Sequence, residues 1–239
     1  MSDKPFHFKE FTVQQNHAAM KVGTDAVLLG AWAKVSSETY RILDIGSGTG
    51  VIALQLAQRC IAEQIDGIEL DAAAFEECVH NFEESPWSDR LFCYHASFQE
   101  FTDAIDDTYD LIVSNPPYFA TQEKLDLSEP REKARFQNQL NFDDLLKGVE
   151  KFLTNDGNFA IILPAQAESE FLTLAETYRL FPSEIVHVKG REETEIKRSL
   201  INLHFTKTQT QVKELVIEKS RHHYTEDYIN LVKDFYLKM

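Results

Sequence analysis

The chain has 239 residues, enough for one large domain, and its hydrophobic and charged shares of 43% and 26% are ordinary globular values that exclude wholesale disorder. Its net charge of −15 excludes diffuse, sequence-blind binding to nucleic acid, which depends on neutralising phosphates. The longest apolar run, residues 26–33, is far too short for a bilayer span, and MSDKPFHFKEF lacks the regions of a secretory signal, so a cytoplasmic protein without a membrane partner is expected.

In chain order, the opening segment alternates Phe6, Phe8, Phe11 and Val13 as a short ribbon, then offers Thr24 as the N-cap of a helix over 25–33. From Arg41 onward, strands at 41–46, 65–70, 90–96 and 109–114 alternate with helices at 51–60 and 72–84. A helix over 142–153 is closed by the turn TNDG, followed by a strand at 158–164 and a helix at 167–178. Strands at 183–190 and 199–207 have no helix between them, and an amphipathic helix is expected over 225–239. This alternation predicts an α/β fold: a mainly parallel, seven-stranded sheet covered by helices on both faces, with an antiparallel pair at one edge. With no internal repeat or linker, one domain over 1–239 is expected, 1–39 preceding the sheet of 40–239.

Cys60, Cys78 and Cys93 stand apart without CxxC or Cys/His clustering, and so read as reduced thiols rather than a metal site. Charge is uneven: residues 1–120 hold 7 Lys and Arg against 19 Asp and Glu, whereas 121–239 hold 17 against 20. A basic face in the second half, and with it an RNA substrate, stays open.

The stretch LDIGSGTGV places Gly46, Gly48 and Gly50 between a strand and a helix, where glycine allows a sharp turn and close approach of a ligand. A dinucleotide loop is spaced G-x-G-x-x-G, but Val51 stands three residues after Gly48. The observed G-x-G-x-G spacing, with Asp44 two residues before it, suits a ligand without a pyrophosphate. S-adenosylmethionine is such a ligand: its charged amino acid end lies against the loop and Asp44 helps orient the ammonium. NAD is weakened by the spacing but not eliminated. Glu69, ending the second strand, is placed to accept both ribose hydroxyls, and Asp71 to cap the next helix. The third strand delivers Ser97 and Phe98 towards an adenine ring, the serine to its edge and the phenylalanine to its face; a surface serine beside a core phenylalanine is the alternative.

The fourth strand ends abruptly in SNPPYF. Two prolines stiffen the backbone and fix where the Asn115 amide and the Pro116 carbonyl point, and Tyr118 offers a flat face for stacking. A planar NH2 group is a poor nucleophile because its lone pair is delocalised. Two acceptors gripping its hydrogens favour a pyramidal nitrogen aimed at a sulfonium methyl, with no metal or strong base required. Asn115, Pro116, Pro117 and Tyr118 are therefore the candidate catalytic group.

LDIGSGTG, IEL and SNPPYF together resemble class I, Rossmann-like S-adenosylmethionine-dependent methyltransferases that act on planar NH2 groups. Beyond these, FKEFTVQQNHAAMKVGTDAVLLGAWA, ESPWSDR, PREKAR and the closing FYLKM resemble the bacterial tRNA(Val) adenine-37 N6-methyltransferase family nearly end to end. The resemblance implies that Asn115, Pro116 and Tyr118 hold an adenine flipped from the anticodon loop, and that Gly46, Gly48 and Glu69 hold the donor. It further implies that residues 21–25, with Lys21 and Thr24, close over the donor, so that 1–39 forms an extension covering the cofactor site. Ser97 departs from the pattern, which often has Asp at the third-strand adenine contact.

Arg131 and Arg135, with Lys133 between them, are candidates for gripping phosphates near the reactive base; a solvated helix face is the alternative. Lys197 and Arg198 belong to a stretch, 189–221, with 8 Lys and Arg against 5 Asp and Glu, a candidate RNA-backbone surface or plain solvated surface. His222 and His223 have no acidic or cysteine companions and carry no metal reading. Neither a metal nor an obligate protein partner is expected. The leading function is N6 methylation of adenine 37 in a valine tRNA. Its rivals are glutamine N5 methylation of a protein, DNA adenine methylation, a catalytically silent RNA-binding module and an NAD-dependent oxidoreductase. The short run ahead of the sheet weighs against the first of these, and the lack of room for a recognition insertion against the second.

Overall fold

A computed structural model describes residues 4–18, 20–116 and 141–239. β1 (Phe6–His7) and β2 (Thr12–Val13) pair antiparallel, with Phe6 opposite Val13, as the Phe alternation anticipates. α1 (Thr24–Trp32) has Ala26, Val27, Leu28, Leu29, Gly30 and Ala31 all buried, the pattern of a helix enclosed on most sides. Thr24 is not its N-cap: the extended backbone ends at Gly23, which takes the cap position, and Thr24 is the first helical residue.

The sheet then alternates as expected through β3 (Arg41–Ile45), α2 (Val51–Arg59), β4 (Gln64–Glu69), α3 (Ala72–Glu83), β5 (Leu91–His95) and β6 (Tyr109–Ser114), with a short helix that the sequence reading did not place, α4 (Phe98–Ala104), between the last two strands. Beyond residue 140 come α5 (Phe142–Phe152), β7 (Leu153–Pro164), α6 (Glu168–Thr177), β8 (Phe181–Lys189), β9 (Ile196–His204) and β10 (Gln211–Val216). A small hairpin, β11 (Glu218–Ser220) with β12 (His223–Tyr224), precedes α7 (Glu226–Val232).

Among the described residues the main sheet has eight strands, in the order β10-β8-β9-β7-β6-β3-β4-β5, rather than the seven expected. The extra strand, β10, pairs parallel with β8; four of its six residues are exposed and Leu215 alone is buried, so its hydrophobic signal is faint. β9 runs antiparallel to both β7 and β8, which supplies the expected antiparallel pairing towards that edge. TNDG does not form a separate turn. Tyr109 pairs with Leu153 and Leu111 with Asn158, so residues 154–157 bulge within β7 instead of preceding it. The last helix stops at Val232; Phe235 then enters the core and its carbonyl accepts the Lys9 N–H at 2.9 Å, docking the tail on the N-terminal ribbon.

Strand residues face alternate sides: Leu111 and Val113 join α1, α2, α3, α7 and the ribbon, whereas Ile112 joins α4, α5 and α6. Helices cover both faces, so the open positions for a ligand are the carboxyl ends of the strands.

Candidate active site

β3 ends at Ile45 and the chain turns through Gly46 and Gly48 at φ +74° and +56°. These values belong to glycine, and at both positions a Cβ would meet nothing within 4 Å, so the bare loop backbone borders open space. The N–H groups of Gly46 and Ser47 donate to the Ile68 carbonyl at 2.9 and 3.0 Å, pinning the loop to β4. At the tip of β4, Glu69 accepts the Gly48 N–H through Oε2 and the Asp71 N–H through Oε1, each at 2.8 Å. Asp71 caps α3 as expected, accepting from the Ala74 N–H at 2.9 Å.

Asp44 is fully buried beneath this loop, and neither carboxylate oxygen has a hydrogen-bond partner among the described residues. Burial pushes its carboxyl up to about 7, opposed by the nearby Ala53 N–H in the first turn of α2, which does not reach a full hydrogen bond, and the charge of Glu69 pushes it further. A buried carboxylate left in this way is costly unless a ligand cation or a donor reaches it.

β6 lies between β3 and β7, and the buried Ser114 Oγ donates to the Ile45 carbonyl at 2.9 Å. Asn115 and Pro116 therefore leave the sheet directly beside the glycine loop, as the strand order of the sequence reading requires. A cleft of about 550 Å³ opens between them. Gly46 to Thr49 form one wall, Lys21 and Thr24 another, and Asn115 with Pro116 a third; Pro164 at the end of β7 and Arg198 on β9 complete it. Arg198 Nε donates to Asp25 Oδ2 at 2.7 Å, so β9 is joined to the start of α1 across the rim. Sequence reasoning did not pair Arg198 with Asp25 or place Pro164 here; the proline closing NFAIILP is the one local signal for the latter.

Other candidates fare differently. Ser97 is the N-cap of α4: its Oγ accepts the Glu100 N–H at 3.1 Å and donates to Glu100 Oε2 at 2.8 Å. Both directions of its hydroxyl are thus engaged in a capping box. Phe98 does not offer a stacking face. Its ring is 5% exposed and packs in the core against Phe152, centroids 6.1 Å apart, because α4 turns it inward onto α5. Leu70, beside Glu69, is 42% exposed and presents apolar surface at that strand tip. Lys197 is exposed on the strand face opposite Arg198. Pro117, Tyr118, Arg131 and Arg135 lie outside the described residues. Among the described residues no cluster of His, Cys, Asp and Glu is arranged for a metal ion, and no helix is long and apolar enough to cross a membrane.

The residues present fit S-adenosylmethionine: an orphaned carboxylate for an ammonium, a glycine backbone with open space above it, and a second carboxylate at the next strand tip. The comparisons agree. The Methyltransferase small domain family model matches residues 16–181. A relative from Flavobacterium johnsoniae is 50% identical over 235 residues, 98% of this chain and 100% of its own, and is named tRNA1(Val) (adenine(37)-N6)-methyltransferase. Relatives of the same name from Christiangramia forsetii and Trichodesmium erythraeum are 48% and 42% identical over 241 and 240 residues, covering 100% of both chains in each case. Among solved structures, a predicted O-methyltransferase from Agrobacterium tumefaciens has a TM-score of 0.67 at 19% identity, covering 88% of this chain and 96% of its own. TYW2 from P. horikoshii, in complex with MeSAdo, has a TM-score of 0.58 at 12% identity, covering 86% and 73%. The structural likenesses establish the fold, and the full-length identities establish the kinship: the chain belongs to the methyltransferase small domain family, within its tRNA1(Val) (adenine(37)-N6)-methyltransferase members.

Proposed function

We propose that this chain transfers a methyl group from S-adenosylmethionine to N6 of adenine 37, next to the anticodon of a valine tRNA, in the cytoplasm. The observation that carries the reading is the emergence of Asn115 and Pro116 from β6 into the cleft bordered by the glycine loop. When bound, the donor supplies an electrophilic methyl on a sulfonium. Asp44 faces its ammonium. Glu69, whose carboxylate has about four lone-pair sites and uses two on backbone N–H groups, retains acceptors for the ribose hydroxyls. Residues 1–39 act as the extension that walls the donor site, through Lys21 and Thr24.

The Asn115 Oδ1 and the Pro116 carbonyl oxygen accept the two N6 hydrogens, and Tyr118 stacks on the base that has left the loop. Holding the amino group in this way aims its lone pair and stabilises the positive charge that grows on nitrogen, after which the proton leaves to solvent. Arg198, at the rim and held by Asp25, meets the RNA backbone together with Lys197, Arg131 and Arg135. The shared name of the full-length relatives supports the tRNA substrate over a protein amide.

The test is incubation of the protein with labelled donor and total tRNA from a strain lacking the modification, followed by nucleoside mapping. Label in N6-methyladenosine at position 37 of a valine tRNA is expected. Label confined to protein would replace this reading with the glutamine one.

A further inference from the structure

The chain leading to the N-terminal wall of the cleft, residues 14–18, is irregular, and it is held by two side chains of α3. Asn81 is 1% exposed. Its Nδ2 donates to the Gln14 carbonyl at 3.0 Å and to the Thr49 carbonyl of the glycine loop at 2.9 Å, and its Oδ1 accepts the Gln14 N–H at 2.7 Å. One turn earlier on the same helix face, Glu77 is 5% exposed. Its Oε1 accepts the N–H groups of Asn16 and His17 at 2.5 and 3.2 Å, and its Oε2 that of Ala18 at 2.9 Å. Gln15 carries the restraint onward, its Oε1 accepting the Val22 N–H at 2.9 Å, between the cleft residues Lys21 and Gly23.

We infer that Asn81 is a positioning residue for the methyl-donor site, joining the glycine loop to the N-terminal wall, with Glu77 as its second anchor. The inference rests on the donor-site reading above. Residues 14–18 have no helix or strand ladder to satisfy their backbone, so α3 side chains take that role. A buried carboxylate and a buried amide are expensive ways to fill space, since apolar groups of similar size pack without desolvating polar atoms. Their value lies in direction. By the two hydrogens of a single amide, Asn81 holds the carbonyl of Thr49, a cleft residue, and that of Gln14, in the segment leading to Met20 and Lys21, so the glycine loop and the N-terminal segment keep one spacing.

Hydrogen exchange of the unmodified protein with and without S-adenosylhomocysteine, together with donor titrations of Asn81→Ala and Asn81→Asp, tests this. The amides of Gln14, Asn16, Ala18 and Val22 are expected to gain protection when the ligand binds. Asn81→Asp keeps the shape and the acceptor but loses both N–H donors, so it should behave like Asn81→Ala. Each should raise the donor Kd about tenfold or more, as for loss of buried hydrogen bonds. Unchanged donor affinity in both variants, or exchange at these amides that ignores the ligand, overturns the inference. If the variants do not fold, the exchange result on the unmodified chain decides it. Neither measurement uses RNA, so a wrong tRNA assignment leaves both intact, whereas failure of the unmodified chain to bind the ligand sinks the donor site itself.

Discussion

Asn115 is half-buried, and it follows the buried Ser114, whose Oγ is bonded to β3, so the root of its side chain is fixed at the cleft mouth. Asn115→Ala is expected to leave donor affinity unchanged in a calorimetric titration while lowering single-turnover methyl transfer by about a hundredfold or more, the usual loss for one preorganised transition-state contact. Equal turnover in variant and parent would remove Asn115 from the mechanism. Asp44 makes a different prediction. Its carboxyl, raised from 3.8 to about 7, binds a proton more tightly folded than unfolded. That contribution to stability is fully present below 3.8 and is lost as pH rises through about 7. Asp44→Asn cannot ionise, so without donor it should melt well above the parent at about pH 8 and close to it at about pH 4, while binding the donor more weakly. Melting shifts of equal size at the two pH values would refute this account of the buried charge.

Among the elements, α4 shows how a strand tip can be misread. SFQE was legible as a capping box, serine followed three residues later by glutamate, and that local rule outweighed the analogy with an adenine-binding tip. Once Ser97 caps the helix, Phe98 is the first helical residue and turns into the core. A Cβ on Gly148 of α5 would lie 2.3 Å from its ring, which shows how closely the two helices meet there. Phe98→Ala should therefore cost about 3–5 kcal/mol in denaturant unfolding with donor affinity unchanged; weakened donor binding in a folded variant would restore the stacking role. Two of the segments that escaped the sequence reading, β10 and the bulge at 154–157, share one property. Residues 154–157 are polar or turn-forming and β10 buries only Leu215, so their strand state is imposed by ladder partners, β8 for one and β6 for the other, rather than by their own pattern.

For the molecule as a whole, a charge of −15 requires that a polyanionic substrate be met by a few local cations rather than by a general field. Lys197→Ala is expected to weaken tRNA binding uniformly across sequences and to lower the magnitude of the log affinity–log salt slope by about 1; an unchanged slope would clear Lys197 of a phosphate contact. The glycine loop, Glu69 at its strand tip and the place where Asn115 and Pro116 leave β6 were readable directly, because each answers a backbone requirement or a spacing contained in a few consecutive residues. The alternation of strands and helices was readable for the same reason, and it was enough to put Asn115 beside Gly46. Only the tertiary structure joined Arg198 to Asp25 across 173 residues, joined Asn81 to Gln14 across 67, and took Phe98 out of the site. Such contacts depend on which strands become neighbours and on which face of a helix meets the sheet, and those follow from burying the whole apolar surface at once.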